Sequence, residues 1–370
     1  MRALCLNAGS SSLKAAGFAI DATGDEPARA VSLSVDRIDA DPARSEAYVD
    51  ALDGVAAACD RDEFVPDVIA HRLVHGGPEL LEHTVITDAV RAELDRATAF
   101  APLHLPGALA VLDAARNRFS AAVQVGCLDT AFHRRLPPAA RRLPLGADLD
   151  AAGIRRYGFH GLSYEYLVHR LGDSLGRRAV LAHLGNGASL AAVLDGVGVD
   201  TTMGLTPAGG IMMGTRPGDL DPGVLLYMLR AGAVDTGQLE RVVDRESGLL
   251  AVSERSADVR DLLAAREDGD GRATLALEMY ESIAAKHVAG FTTVLRGLDT
   301  LVFTGGVGEH AAAVRHGIAA RLTHLGVAVD AAANEAGAPV ISEPRAAVTV
   351  RVEPTDEEFM MAVHAARLVG

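Results

Sequence analysis

The chain has 370 residues, 49% of them hydrophobic but only 4% aromatic, with no Trp, enough for about two or three domains cored mainly by Ala, Val and Leu. Its formal net charge of −14 excludes a nucleic-acid or anionic-membrane surface, since both need a basic footprint. Three cysteines (Cys5, Cys59, Cys127) without CxxC spacing, and no apolar run of bilayer length, exclude a disulfide framework, a zinc site and a membrane anchor, and the chain is expected to be cytoplasmic.

Strand-like and helix-like stretches alternate, which predicts an α/β architecture. Residues 2–6 read as a strand, a Gly/Ser turn follows, and residues 13–18 read as its partner. Residues 65–70 form a third strand, ending before Arg72 and a Gly-Gly turn. Pro106 suits the first position of a helix over 107–119. Residues 123–128 form an apolar strand ending at Asp129, and Ser163 suits the cap of the following helix. A second small-residue turn lies between His183 and Leu190. Asp221 and Pro222 open a helix over 223–230 that Gly232 closes. Residues 273–295 predict a long helix, and 301–303 a buried strand that enters a Gly-rich turn, with a helix beginning at Glu309. Residues 347–352 read as the last strand; Thr355 then caps a helix from Asp356, and Glu358 folds back on it in a capping box. The two small-residue turns, one opening each half, suggest a duplicated fold. The expected domains are 1–148 and 149–355, with a helix over about 356–370 packing back on the first.

Several of these turns carry groups suited to anions. Residues 7–14 hold Asn7, Ser10, Ser12 and Lys14, and small residues there free backbone N–H groups for a phosphate, although an ordinary hairpin turn fits equally. Lysine occurs only at Lys14 and Lys286, which favours the cradle, and no Walker A pattern is present. Arg72 can aim a planar fork at an oxyanion, with a surface charge as the alternative. His160 suits charge stabilisation, with a packing histidine as the equal rival, His104 by itself reads as a satisfied structural histidine, and Asp129 ends a strand where carboxylates orient metals or nucleophiles. The run His183-Leu184-Gly185-Asn186-Gly187 and the loop 210–222, with Arg216 among glycines, expose backbone donors and one guanidinium around a cleft. Asp258-Val259-Arg260 and Gly305-Gly306-Val307-Gly308 could flank a nucleoside.

Taken in order, these blocks resemble the acetate kinase family from end to end. The resemblance rests on Asn7–Lys14 as Asn-x-Gly-Ser-Ser-Ser-x-Lys and on His71-Arg72-Leu73-Val74-His75-Gly76-Gly77. It continues through Asp129-Thr130-Ala131-Phe132-His133, Arg155-Arg156-Tyr157-Gly158-Phe159-His160-Gly161 and His183-Leu184-Gly185-Asn186-Gly187, and ends in Met212–Pro222. It implies two duplicated actin-like (ribonuclease H-like) α/β domains around a nucleotide cleft, and reversible ATP-dependent phosphorylation of acetate. Propionate or butyrate kinase is the alternative acid specificity; a non-catalytic nucleotide-binding relative is the alternative class. It further implies that Arg72 and Arg216 hold the carboxylate and the phosphoryl group, that His160 bonds to that group, and that Asp129 positions the reaction centre. Asn7 and Glu357 would serve Mg²⁺ (or Mn²⁺), and Asn7, Ser10, Ser12, Lys14 and residues 183–187 the phosphates of ATP or ADP. Asp258, Val259, Arg260 and residues 305–308 would surround the nucleoside, while Val74, Leu103, His104, Phe159 and Pro207 would form the acyl pocket. A homodimer is implied as well. The chain departs from the family pattern at Leu105, Ala208, Gly209, Val307 and His310.

Overall fold

The computed structural model describes residues 1–8, 12–21, 26–36 and 45–370. The first sheet holds β1 (Arg2–Ala8), β2 (Ser12–Ala19), β3 (Ala28–Asp36), β4 (Val68–Leu73), β5 (Thr84–Val85) and β6 (Val123–Leu128). The second holds β7 (Arg178–Leu184), β8 (Ala188–Leu194), β9 (Val197–Thr201), β10 (Thr300–Thr304) and β11 (Thr349–Val352). Their orders are β3-β2-β1-β4-β6-β5 and β11-β10-β7-β8-β9. Each contains an antiparallel meander, β1–β3 or β7–β9, whose first strand continues sideways into two parallel strands, β4 and β6 or β10 and β11. Apart from the extra edge strand β5, the second sheet repeats the first. This is the duplicated actin-like α/β fold.

Strands covered on both faces must be apolar on both faces. In β7 Val180, Leu181 and Leu184 are fully buried, as are Leu301, Val302 and Phe303 in β10. The helix Gly271–Leu295 lays Leu277, Tyr280, Ala284 and Val288 on one side of the second sheet. The helix Gly161–Leu171 lays Tyr164, Leu167 and Leu171 on the other. The first sheet is covered by the helices Ser45–Arg61 and Leu105–Arg118 on one face. Its other face receives the C-terminal helix Glu357–Val369, whose Met360, Met361 and Val363 pack on Cys5, Phe18, Val125 and Cys127. Each buried Met contributes about 1.5–3 kcal/mol, and this docking carries the first turn of that helix to the end of β1.

A polar clamp fixes the same helix. Glu165 Oε2 accepts from His364 Nε2 at 2.8 Å, and His83 Nε2 lies 3.2 Å from it. These three residues have the donor set of a metal site. The Leu128 N–H, however, donates to His83 Nδ1 at 3.0 Å. That leaves the neutral ring's proton on Nε2, facing Glu165, where a metal ligand would need a lone pair. Among the described residues no helix is long and apolar enough to cross a membrane.

Several element boundaries differ from those expected of the sequence. Arg72 lies inside β4 rather than beyond it. The helix Leu105–Arg118 starts two residues earlier than predicted, behind His104. The glycine run is itself the helix Gly305–His310, because strand β10 delivers Thr304 directly to the cap position. His160, not Ser163, precedes the helix Gly161–Leu171. The cap of the C-terminal helix is Asp356, whose side chain accepts from the Phe359 N–H at 2.9 Å. Thr-Asp-Glu-Glu offers two adjacent capping residues, and a 2.6 Å ion pair with Arg29 fixes Asp356 in place. Glu358 is therefore at the second helical position and makes no capping box.

Candidate active site

The two sheets turn the ends of their central strands toward one cleft of about 440 Å³. The first half contributes Asn7 at the end of β1, Lys14 opposite it in the β1–β2 ladder, and Arg72 near the end of β4. The second half contributes His183 from β7, the turn residues Gly185, Asn186 and Gly187, and Gly305 and Gly306 beyond β10. Thr355, Glu357 and Glu358 close the cleft beyond β11.

Charge in the cleft is organised around Arg72. Its Nη2 donates to Asp129 Oδ2 at 2.7 Å, its Nε to both Asp129 oxygens at 3.1 Å, and its Nη1 to Asn7 Oδ1 at 3.1 Å. Glu357 Oε2 lies 3.5 Å from the same Nε. Asn7 spends its amide on both glutamates, donating to Glu357 Oε2 at 3.1 Å and Glu358 Oε1 at 3.0 Å. Burial alone would lower the Arg72 pKa, but Asp129 and Glu357 outweigh it and keep the guanidinium charged. Burial pushes the Asp129 carboxyl up to about 6 against the pull of Arg72, whose fork donates to both of its oxygens. Desolvation would raise Glu357 too, yet Arg72 and His183 hold it below the usual carboxylate range. Thr355 Oγ1 is buried without a hydrogen-bond partner. Two carboxylates and an unsatisfied hydroxyl at one edge of the cleft are hard oxygen donors, and they fit a divalent cation such as Mg²⁺.

His160 and Arg216 meet across Gly187. A Cβ built on Gly187 would stand 3.5 Å from His160 Nε2 and 3.6 Å from Arg216 Nη1. The loop carrying Arg216 closes because Gly218, at φ +77°, approaches Gly210 O to a distance no side chain would tolerate. Asp219 then clips the loop, its Oδ1 accepting from Gly210 N–H at 2.7 Å. Arg216 Nη1 donates to Pro207 O at 3.0 Å. Burial first, then the charges and rings of His183, Arg72 and Arg216, hold His160 well below its ordinary pKa, so the ring is neutral. Burial, reinforced by Arg216 and Arg72, likewise pushes His104 down to about 4.

Two further cavities lie on the molecule, and the first of them adjoins the cleft. One, of about 530 Å³, is walled by Asp258, Val259, Arg260, Leu263, Val307 and His310 and shares Asn186 and Gly306 with the cleft. The other, of about 370 Å³, is lined by Leu103, His104 and Pro207 with the segments around Phe100 and Leu239.

The cleft thus gathers Asn7, Lys14, Arg72, His160, His183, Gly185, Asn186, Gly187, Gly305, Gly306 and Glu357 from the sequence-predicted set, and Asp129 stands behind Arg72. Leu184 and Gly308 are buried beneath it. Val74 and Phe159 are buried in the core and line neither side cavity. Ser12 begins β2, and Ser10 lies outside the described residues. Leu105 is fully buried in the core, and His310 joins the wall of the larger cavity. Sequence reasoning missed Thr355, Glu358 and Glu309 as cleft residues. It spent Thr355 and Glu358 on a helix cap; that Asp356 competes for the same cap was the available signal. It also took Ser163 as a cap, whereas its Oγ meets His183 Nδ1 at 2.9 Å.

The model of the acetokinase family matches residues 2–363. An acetate kinase of Rhodopseudomonas palustris (strain TIE-1) is 43% identical over 307 residues, which are 81% of this chain and 76% of that one. An acetate kinase of Porphyromonas gingivalis (strain W83) is 40% identical over 305 residues, 80% of this chain and 77% of that one. The crystal structure of Porphyromonas gingivalis acetate kinase superposes over 100% of both chains with TM-score 0.84 at 33% identity. That of a propionate kinase from Francisella tularensis does so over 100% of both with TM-score 0.89 at 29% identity.

Proposed function

The chain belongs to the acetokinase family, and we propose that it is an acetate kinase that moves the γ-phosphoryl group of ATP reversibly to acetate, giving acetyl phosphate and ADP. The observation that carries this reading is a cleft that holds Arg72 and His160 together with the glycine backbone of residues 185–187 and 305–306, with Arg216 brought beside His160 at Gly187. A carboxylate nucleophile is already ionised at pH 7, so the reaction needs no general base. It needs two anions brought together. In the forward direction a carboxylate oxygen forms a bond to the γ-phosphorus as the bond from that phosphorus to the β–γ bridging oxygen breaks, and ADP leaves with the electron pair. Arg72 and Arg216 would hold the acid and the phosphoryl oxygens, and a neutral His160 would donate one hydrogen bond to the charge in transit. Asp129 would keep the Arg72 fork in plane. Lys14, the backbone of residues 185–187 and Gly306 would guide the phosphates, with the nucleoside in the cavity walled by Val259 and Val307.

Glu357 and Glu358, placed by the Asn7 amide, together with Thr355, would hold Mg²⁺, or Mn²⁺ with the same oxygen preference. When bound, the ion supplies charge neutralisation for the nucleotide phosphates. Asn7 already uses its carbonyl on Arg72, so its part on the metal side would be to orient the carboxylates. The cavity lined by Leu103, His104 and Pro207 would take the acyl tail. Its room beyond a methyl group, and the likeness to a propionate kinase, favour propionate as a second substrate. Exposed Val224, Leu226 and Tyr227 on the helix Pro222–Arg230 support a homodimer, which light scattering would test. The lack of any strand between β6 and β7 supports a domain division near residue 148. Trapping acyl phosphate as its hydroxamate, with ATP, Mg²⁺ and acetate, propionate or butyrate, tests the activity. Acetate should give product fastest, and no product from any acid would overturn the reading.

A further inference from the structure

We propose that Tyr164 and Ser189 form a buried relay that fixes His160 as the Nε2–H tautomer, making both positioning residues for the transfer. The inference rests on the kinase reading for its catalytic meaning, but its structural basis is independent of it. Ser189 Oγ lies 2.8 Å from His160 Nδ1 and 2.5 Å from the Tyr164 hydroxyl. Tyr164 and Ser189 are both fully buried.

Counting protons settles the direction. Burial pushes the Tyr164 phenol well above its ordinary pKa, so it keeps its proton and must place it on an acceptor. Ser189 Oγ is the acceptor at hand. With one lone pair taken by that bond, the Ser189 hydroxyl turns its own proton to His160 Nδ1, which must then be bare. A neutral imidazole carries one proton, so it sits on Nε2, the atom that overlooks Gly187 beside Arg216. The cleft therefore receives a donor where an anion would stand. The opposite direction would present a lone pair to that anion.

The surroundings hold the ring in this pose. His160 has φ +57°, a left-handed backbone imposed between Phe159 and the helix that starts at Gly161. His183 stacks on it, centroids 4.2 Å apart and planes 16° from parallel. Ser163 pins His183 in turn. The stack and the backbone conformation orient the ring, and the relay fixes its tautomer.

The test uses the full chain labelled with ¹⁵N-histidine, with the His160 signals assigned from His160→Gln. Long-range nitrogen–proton spectra should show His160 protonated at Nε2 and bare at Nδ1. Ser189→Ala and Tyr164→Phe should each move that pattern toward a mixture, and thermal midpoints will show that both variants fold. In the hydroxamate assay each should lower kcat by roughly ten- to a hundredfold with little change in KM for ATP. In a His160→Gln background Tyr164→Phe should cost nothing further, since the cycle removes the coupled partner. A wild-type His160 protonated at Nδ1 would overturn the relay. So would a Tyr164→Phe loss that is the same with and without His160. The nitrogen spectrum decides the tautomer whether or not any carboxylate is phosphorylated, so failure of the relay and failure of the kinase reading are separate results.

Discussion

The two halves share a strand order but arm it differently. In the first, the central strands end in long charged or amide side chains: Asn7 on β1, Arg72 on β4, Asp129 just past β6. In the second, the equivalent strands β7 and β10 run into the Gly185-Asn186-Gly187 turn and into Gly305 and Gly306. Beyond β11 the counterpart of Asp129 is drawn out into Thr355, Glu357 and Glu358. A duplicated fold thus faces a side-chain wall with a backbone wall. One would grip charge that moves during reaction; the other would let a polyphosphate lie close to N–H groups. The division makes a sharp demand: the first wall should fail when a side chain is changed, the second when one is added.

The largest effect is expected on the side-chain wall. Arg72→Lys keeps the charge, but an ammonium cannot serve Asp129 through two nitrogens and Asn7 through a third. kcat should fall by about a thousandfold or more. Near wild-type turnover would mean that the fork is scaffolding. Glu357→Ala and Glu358→Ala should each raise the Mg²⁺ needed for half-maximal rate by roughly tenfold to a hundredfold, because both carboxylates share the Asn7 amide. A Mg²⁺ titration in which only one of them responds would assign the metal edge to that residue alone.

The backbone wall is probed at Gly306. A Cβ there meets nothing within 4 Å, so Gly306→Ala should leave the thermal midpoint unchanged or slightly raised. The added methyl would still occupy the space over which a nucleotide would pass. KM for ATP should rise by about tenfold with kcat for saturating ATP nearly kept. If KM does not move, the phosphates run elsewhere and the contrast between the walls fails.

Acid should act on the joint between the halves. Glu165 is held at about 2, despite the burial that would raise it, by His364 and His83. Its folded pKa is below its unfolded value of 4.5, so its contribution is present above 4.5 and is lost as pH falls toward 2. His364 is depressed by burial, so it adds a penalty beginning as pH falls below 6.5. Thermal midpoints should therefore drop from pH 6.5 downward in wild type, and Glu165→Gln should flatten the lower part of that drop.

Which of these features the sequence disclosed follows from how local each signal is. The alternation of strands and helices, the long helix, and the helix that Asp221 caps are written in a few adjacent residues, and they stand where expected within two positions. Arg72, Asp129, His160 and residues 183–187 were legible as family blocks. The relay was not, because Tyr164 and Ser189 are separated by 25 residues and meet only once β8 lies against the helix Gly161–Leu171. Nor was the pairing of Asn7 with Glu357, 350 residues apart, which needs the C-terminal helix docked on the first sheet.

The smallest effect expected is at Asp356, and it separates the helix cap from the candidate metal edge at the level of one residue. Asp356 Oδ1 accepts from the Phe359 N–H, and its two oxygens take a guanidinium nitrogen of Arg29 at 2.6 and 2.7 Å. The Arg29 pair is about a third exposed on both sides, so screening leaves it little worth, and the cap bond dominates. Asp356→Ala should therefore cost about 1 kcal/mol of stability. It should leave the Mg²⁺ requirement near wild type, since the helix stays docked through Met360 and Met361. Thr355→Ala should do the reverse: its hydroxyl makes no cap bond and is buried without a partner, so stability should hold or improve slightly. Any cost should appear as a higher Mg²⁺ requirement. Melting curves and Mg²⁺ titrations on both variants separate the two residues. A destabilised Thr355→Ala beside an intact Asp356→Ala would return the cap to Thr355, make Glu358 its reciprocal partner, and leave Glu357 as the one carboxylate of that turn facing the cation.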